Sequence, residues 1–294
     1  MLALSLPALL LGLGCGVLYS AADMFRKAAP ASCPSETILF YYIGGQIPVL
    51  AAWVLWTGER DIAPGYVLPG VVDVAFGLGA NLLFIVAIRR SPLSLIVPLL
   101  ALVPVVALLF GGLTLGKWPT PAQDAGLLLI AAGLFTLFQP PTAKPGIGAA
   151  WQMLRAEKGT APMLAVVLLW SATPAIDKIC LGYTSPGMHS LIQVAAIWAL
   201  LLVWVLWRRP AFLRPPPGAI APVSGSAVAG ALGYIVQLIA YSMAMVALIE
   251  VLKRTVGLLG SLILGRTQFR EPLTVAKVAG ITVIAAGLPL VMIG

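Results

Sequence analysis

A chain of 294 residues that is 60% hydrophobic and only 10% charged is not an ordinary soluble domain, because a solvated surface needs roughly 25% charged residues. A compact body of this size could not bury so much apolar surface, so lipid must be its main solvent. The net charge of +8 is spread as pairs such as Arg89-Arg90 and Arg208-Arg209 beside apolar stretches, which excludes a nucleic-acid partner and fits loops that meet lipid headgroups.

A bilayer-spanning helix needs about 20 mostly apolar residues. In chain order the sequence predicts such helices at Ala3–Met24, Ile38–Trp56, Tyr66–Ile88, Leu93–Leu115 and Ala122–Phe138. A polar stretch, Gln139–Thr160, follows and reads as a linker. Five more helices are predicted at Ala161–Leu181, Ser190–Trp207, Ala219–Tyr241, Met245–Leu264 and Leu273–Ile293. The first apolar run resembles the core of a signal peptide, but it lacks a positive flank and is expected to be a retained helix.

An internal repeat organises these segments. Ala125–Gly133 (AGLLLIAAG) returns as Ala279–Gly287 (AGITVIAAG), and Trp53–Trp56 returns as Trp204–Trp207. Ser20-Ala21 with Lys27 is echoed by Ser171-Ala172 with Lys178. The expected fold is therefore an all-α integral membrane protein of ten transmembrane helices, built as two inverted five-helix repeats. The boundaries are 1–140 for the first repeat, 141–160 for the linker and 161–294 for the second. Five spans per half force the second half to insert upside down, with a solute site expected between halves near the midplane. The loops after odd-numbered helices hold thirteen of the eighteen Lys and Arg residues, which favours termini outside the cytoplasm.

Ionisable groups within a membrane are costly and so are candidate functional groups. Glu250, Lys253 and Arg254 share one face of the predicted ninth helix, where the glutamate can neutralise one cation and leave a net positive site for a carboxylate or phosphate. The competing reading places them at the headgroups, snorkelling from a helix that begins later. Asp73 lies within the third helix with Gly77 and Asn81 on roughly the same face; it could exchange a proton or cap a helix. Asn81 corresponds to Tyr234, and Tyr234 and Gln237 are spaced to line a cavity in the eighth helix. Trp53, Trp56, Trp204 and Trp207 read as interfacial belts. Gly126, Gly133, Gly280 and Gly287 read as a helix-contact stripe, and Pro98 and Pro104 interrupt the fourth helix.

Cys15, Cys33 and Cys180 lack the spacing of a disulfide framework or metal site, and the single histidine, His189, excludes a histidine-rich centre. No cofactor and no metal are expected. Gly111–Lys117 comes closest to a nucleotide-binding loop, but Trp118 occupies its last position. An intramembrane enzyme would need a nucleophile with a base, or a metal motif, and the chain offers neither HExxH nor GxSxG.

The run Ala87–Gly133 resembles the repeat of the drug/metabolite transporter superfamily, EamA type. The carrying residues are Ala87, Ser91-Pro92, Pro104, Gly116, Thr120, Gly126 and Gly133, with Ala240, Glu271, Thr274, Gly280 and Gly287 in the second half. Lys117 stands where the family usually has glutamate, and Leu258 where it often has proline. The resemblance implies a ten-helix carrier with a central cavity between the halves, in which Asp73, Asn81, Tyr234, Gln237, Glu250, Lys253 and Arg254 would bind substrate. It also implies termini in the cytoplasm, against the loop charges. The expected function is secondary transport of a small metabolite across the cell (inner or plasma) membrane by alternating access, with an amino acid or related zwitterion favoured and export or exchange as the direction. A multidrug or sugar/nucleotide-type carrier is the alternative, and a receptor or accessory subunit is a further one. The partners are a small-molecule solute and the bilayer, with room for a homodimer.

Overall fold

The computed structural model describes residues 6–106, 120–139, 146–208, 214–244 and 246–291. Its helices are α1 (Leu6–Ala28), α2 (Ser35–Thr57), α3 (Val67–Arg90), α4 (Leu93–Val106), α5 (Pro121–Leu137), α6 (Ile147–Ala156), α7 (Thr160–Cys180), α8 (Pro186–Arg208), α9 (Ile220–Met243), α10 (Val246–Phe269) and α11 (Val275–Val291). Among the described residues, α1, α2, α3, α7, α8 and α9 are long and apolar enough to cross a bilayer, while α4, α5 and α11 are shorter apolar helices. Although α10 is 24 residues long, Glu250, Lys253, Arg254 and Arg266 interrupt its apolar run. The chain is a multi-pass membrane protein. The predicted end of the fourth helix, with Gly111–Lys117, Gly116 and Lys117, lies outside the described residues, as does Met245.

Local chemistry sets several boundaries. Thr120 and Gln123 form a reciprocal capping box at the start of α5, with Pro121 at its first turn, where a missing N–H costs nothing. Gly58 ends α2 in the left-handed conformation, φ 73°, which a side chain would resist. The expected linker is not wholly irregular: it contains α6. There Arg155 lies over the ring of Trp151, 5.1 Å away, and Trp151 is exposed. An aromatic and a cation one helical turn apart form a face suited to headgroups. Trp56 and Trp207 are also exposed, as a belt requires.

Small residues decide the close packing. A methyl at Gly126 would sit 2.8 Å from the Gly287 carbonyl, and one at Gly280 would sit 2.7 Å from the Gly133 carbonyl. Position 126 meets 287 while 133 meets 280, so α5 and α11 run antiparallel at backbone contact. By the same logic α1 runs parallel to α10, since Gly12 meets Leu252 and Gly260 meets Ser20. It runs antiparallel to α9, where Gly225 meets Phe25 and Gly233 meets Leu18. The pair α3 and α7 is antiparallel too, with Gly79 against Leu169 and Gly159 against the Ala87 carbonyl.

Two helices are broken. In α4 the stretch Val97–Ala101 tightens into a 3-10 turn that carries Pro98. In α7 the chain breaks at Ser171-Ala172, and Pro174 sits at the start of the second segment. Irregular backbone at membrane depth is tolerated where protein or a cavity satisfies it. Here Val97, Leu100, Ala101, Trp170, Thr173 and Pro174 all border one internal space.

Candidate functional site

That space is a cavity of about 180 Å³, far more than the roughly 10–15 Å³ that one water needs. It is bordered by residues of α1, α2, α3, α4, α7, α8, α9 and α10. Of the seven residues proposed from the sequence, Asp73, Asn81, Tyr234, Gln237, Lys253 and Arg254 line it. Glu250 does not; it stands behind the two cations and holds them.

The cationic wall is built on one face of α10. Glu250 is ion-paired to Lys253 one turn on, and its Oε2 lies 3.2 Å from Arg254 Nη2. Tyr241 donates to Glu250 Oε1. Lys253 also donates to Gln237 Oε1, at 2.9 Å, and lies 5.7 Å over the Tyr19 ring. One carboxylate therefore faces two cations, and the buried Nε of Arg254 has no hydrogen-bond partner. An arginine with unused donors beside a polar cavity suits a carboxylate or phosphate. These charges lie inside the protein rather than at headgroups, because Glu250 is only 6% exposed.

A second part of the lining is acidic. Asp73 of α3 and Asp177 of α7 both line the cavity and both are buried. His189 of α8 lies against them, with Nε2 3.0 Å from Asp177 Oδ1 and 3.7 Å from Asp73 Oδ2. Its Nδ1 is 2.8 Å from the Tyr66 hydroxyl. Tyr234 donates to Asp177 Oδ1 at 3.3 Å. The sequence offered Asp73 no cation nearby; the fold supplies a histidine more than a hundred positions away. Asn81 donates to the Gly77 carbonyl at 2.8 Å, so part of its polarity is spent within α3.

Also in the lining, Asp23 and Arg26 of α1 form an ion pair, with the guanidinium 4.7 Å over the Tyr42 ring and 4.8 Å over the Phe84 ring. Sequence reasoning missed Asp23, Arg26, Asp177, His189 and Gln193. Predicted helix ends caused the first losses, since α1 continues to Ala28. The repeat held a usable signal: Ser20 and Lys27 echo Ser171 and Lys178, and the same offset pairs Arg26 with Asp177.

One end of the bundle is tied by a polar cluster. Glu271, in the loop after α10, accepts from Lys27 at 2.9 Å, from the Leu93 N–H at 2.7 Å and from the Ser94 N–H at 3.1 Å. Burial alone would push the Glu271 carboxyl up, but the Ser94 and Lys27 contacts outweigh it and hold the group below the usual carboxylate range. The other end is tied by the bridge between Ile62 and Thr184, with Ala63 N–H donating to the Tyr183 carbonyl at 2.8 Å.

Comparison with known proteins adds three findings. No curated protein matches the chain. A solved crystal structure matches over 96% of this chain and 95% of its own, with a TM-score of 0.67 and 18% identity; at that identity the likeness shows a shared fold. The description "EamA-like transporter family" matches residues 6–139. Over that first half, the chain is similar to the EamA-like transporter family.

Proposed function

We propose that the protein is a secondary carrier for a small zwitterionic metabolite, an amino acid or close relative, working in the cell membrane by export or exchange. The observation that carries this reading is the cavity itself: Lys253 and Arg254 line it together with Asp73 and Asp177, so both signs of charge border one space. A solute with a carboxylate and an ammonium group meets a partner at each end. A purely cationic drug would meet two unwelcome cations, and an uncharged sugar would leave buried charges unpaired.

Alternating access by ten helices in two inverted halves is part of the proposal. Supporting it, the repeat-related helices α5 and α11 are antiparallel, as inversion requires. The helices broken at the cavity, α4 and α7, follow a pattern recurrent in carriers.

The test is counterflow in proteoliposomes, loading unlabelled and supplying labelled amino acids in turn. Accumulation of at least one amino acid above the empty-vesicle level is expected. Failure across a full amino-acid panel, with accumulation of a sugar or cationic dye instead, would overturn the choice of substrate.

A further inference from the structure

A buried run of hydrogen bonds ends on the two cavity carboxylates, and its direction can be read donor by donor. Gln193 holds one amide atom 3.0 Å from the Gly70 carbonyl and 3.2 Å from the Tyr66 hydroxyl. A carbonyl only accepts, so that atom is the amide nitrogen, and the Tyr66 oxygen accepts from it. The Tyr66 hydrogen still needs an acceptor in this buried place, and among the described residues the one within reach is His189 Nδ1, 2.8 Å away. With Nδ1 accepting, the imidazole is neutral and carries its own hydrogen on Nε2, aimed at Asp177 and Asp73.

Three consequences follow. The imidazole has no lone pair left for a metal ion, although the three groups lie within 4.8 Å of one another. With Nδ1 accepting, it also brings the carboxylates a hydrogen-bond donor and not a full counter-charge. Among the described residues, neither carboxylate is ion-paired to a lysine or arginine. Two like charges this close and buried repel strongly, and one shared proton removes that repulsion.

Among the described residues, the surrounding elements offer no other charge to do so. On α10, Glu250 pairs with Lys253 and Arg254. On α1, Asp23 pairs with Arg26, and the Tyr19 ring lies under Lys253. On α7, Lys178 donates to the Tyr241 carbonyl, and Cys180 is a buried free thiol. From α9 comes Tyr234, a donor to Asp177. The remaining polar signal is Gln193 Oε1, a buried acceptor without a partner on a residue that lines the same cavity.

We propose that Asp73 and Asp177 form a proton-binding station, held by His189, Tyr66 and Gln193. The pair takes up one proton from the cavity and passes from two negative charges to one; release reverses this, and no other bond forms or breaks. Because both carboxylates line the solute cavity, the proton changes the charge that a solute meets, which links the two binding events. That link rests on the carrier reading above; occupancy by a proton does not.

Infrared difference spectroscopy of the purified full-length protein across a pH jump tests it without any solute. The wild type is expected to show the carbonyl stretch of a protonated carboxyl near neutral pH that vanishes on alkalinisation. Asp73→Asn and Asp177→Asn should each lose it, because the remaining carboxylate has only donors around it. Glu59→Gln, in an exposed loop, should keep it. A band missing from the wild type, or unchanged in both aspartate variants, overturns the proposal. So does Mn²⁺ binding by the wild type, in calorimetry with the metal alone, that is lost in His189→Gln.

Discussion

Arg254 is where a single side chain decides most. Its guanidinium gives one nitrogen to Glu250 and keeps a buried Nε without a partner. A charged hydrogen bond is worth about 1.5–3 kcal/mol, so Arg254→Ala should weaken solute binding roughly ten- to hundredfold and abolish measurable transport of a zwitterion. Folding should survive, because Lys253 still neutralises Glu250. Counterflow beside the detergent melting temperature separates the two effects; normal uptake kinetics would remove Arg254 from the site. A lysine in the same place would keep the charge but lose the fork, so Arg254→Lys should recover part of the loss.

Glu271 makes a different residue-scale prediction. Its folded carboxyl lies below the usual range, so it binds protons less readily than in the unfolded chain. Its contribution to stability is complete above the unfolded value of about 4.3 and is lost as pH falls through the folded one. The melting temperature of the wild type should therefore drop more steeply than that of Glu271→Gln between about pH 6 and pH 3. Parallel curves would show that the Lys27 and Ser94 contacts contribute no pH-dependent stability.

Among the elements, the tightest interface is α5 against α11. Gly133 faces the Gly280 carbonyl and Ile284, with no room for a methyl. Gly133→Leu must force the helices apart, an overpacking cost of about 1–3 kcal/mol, while Gly148→Leu, beside which nothing lies within 4 Å, should leave stability almost unchanged. Thermal unfolding in detergent checks both. This stripe was legible in the sequence because two glycines seven apart recur in each half, a local pattern that needs no tertiary knowledge. The cavity was legible only in part. Glu250, Lys253 and Arg254 announced themselves by one-helix spacing, and Asp73, Asn81, Tyr234 and Gln237 by polarity within apolar runs. His189 and Asp177 did not, since each sat at a predicted helix end and acquires its partner only when α3, α7 and α8 converge. The helix within the linker was hidden by the prolines, glycines and charges around it.

For the molecule as a whole, a carrier and an open pore differ in one mechanical requirement: a carrier's two ends must never be open together, and each must open in turn. The structure ties both ends. Lys27, Glu271 and Ser94 tie one, and the α2–α3 and α7–α8 connections, joined at Ile62 and Thr184, tie the other. A 23-residue helix, α2, lies between the loop that follows α1 and the loop that carries Ile62, so the two ties are about 34 Å apart along its axis. Three native cysteines are buried and free, so a disulfide can be introduced cleanly after replacing them. Ile62→Cys with Thr184→Cys, oxidised, should stop both net transport and counterflow, and a reductant should restore them. Each single replacement should transport normally. If the oxidised protein still exchanged solute at the wild-type rate, that end would not need to open, and rocking of two halves around the cavity would no longer describe this chain.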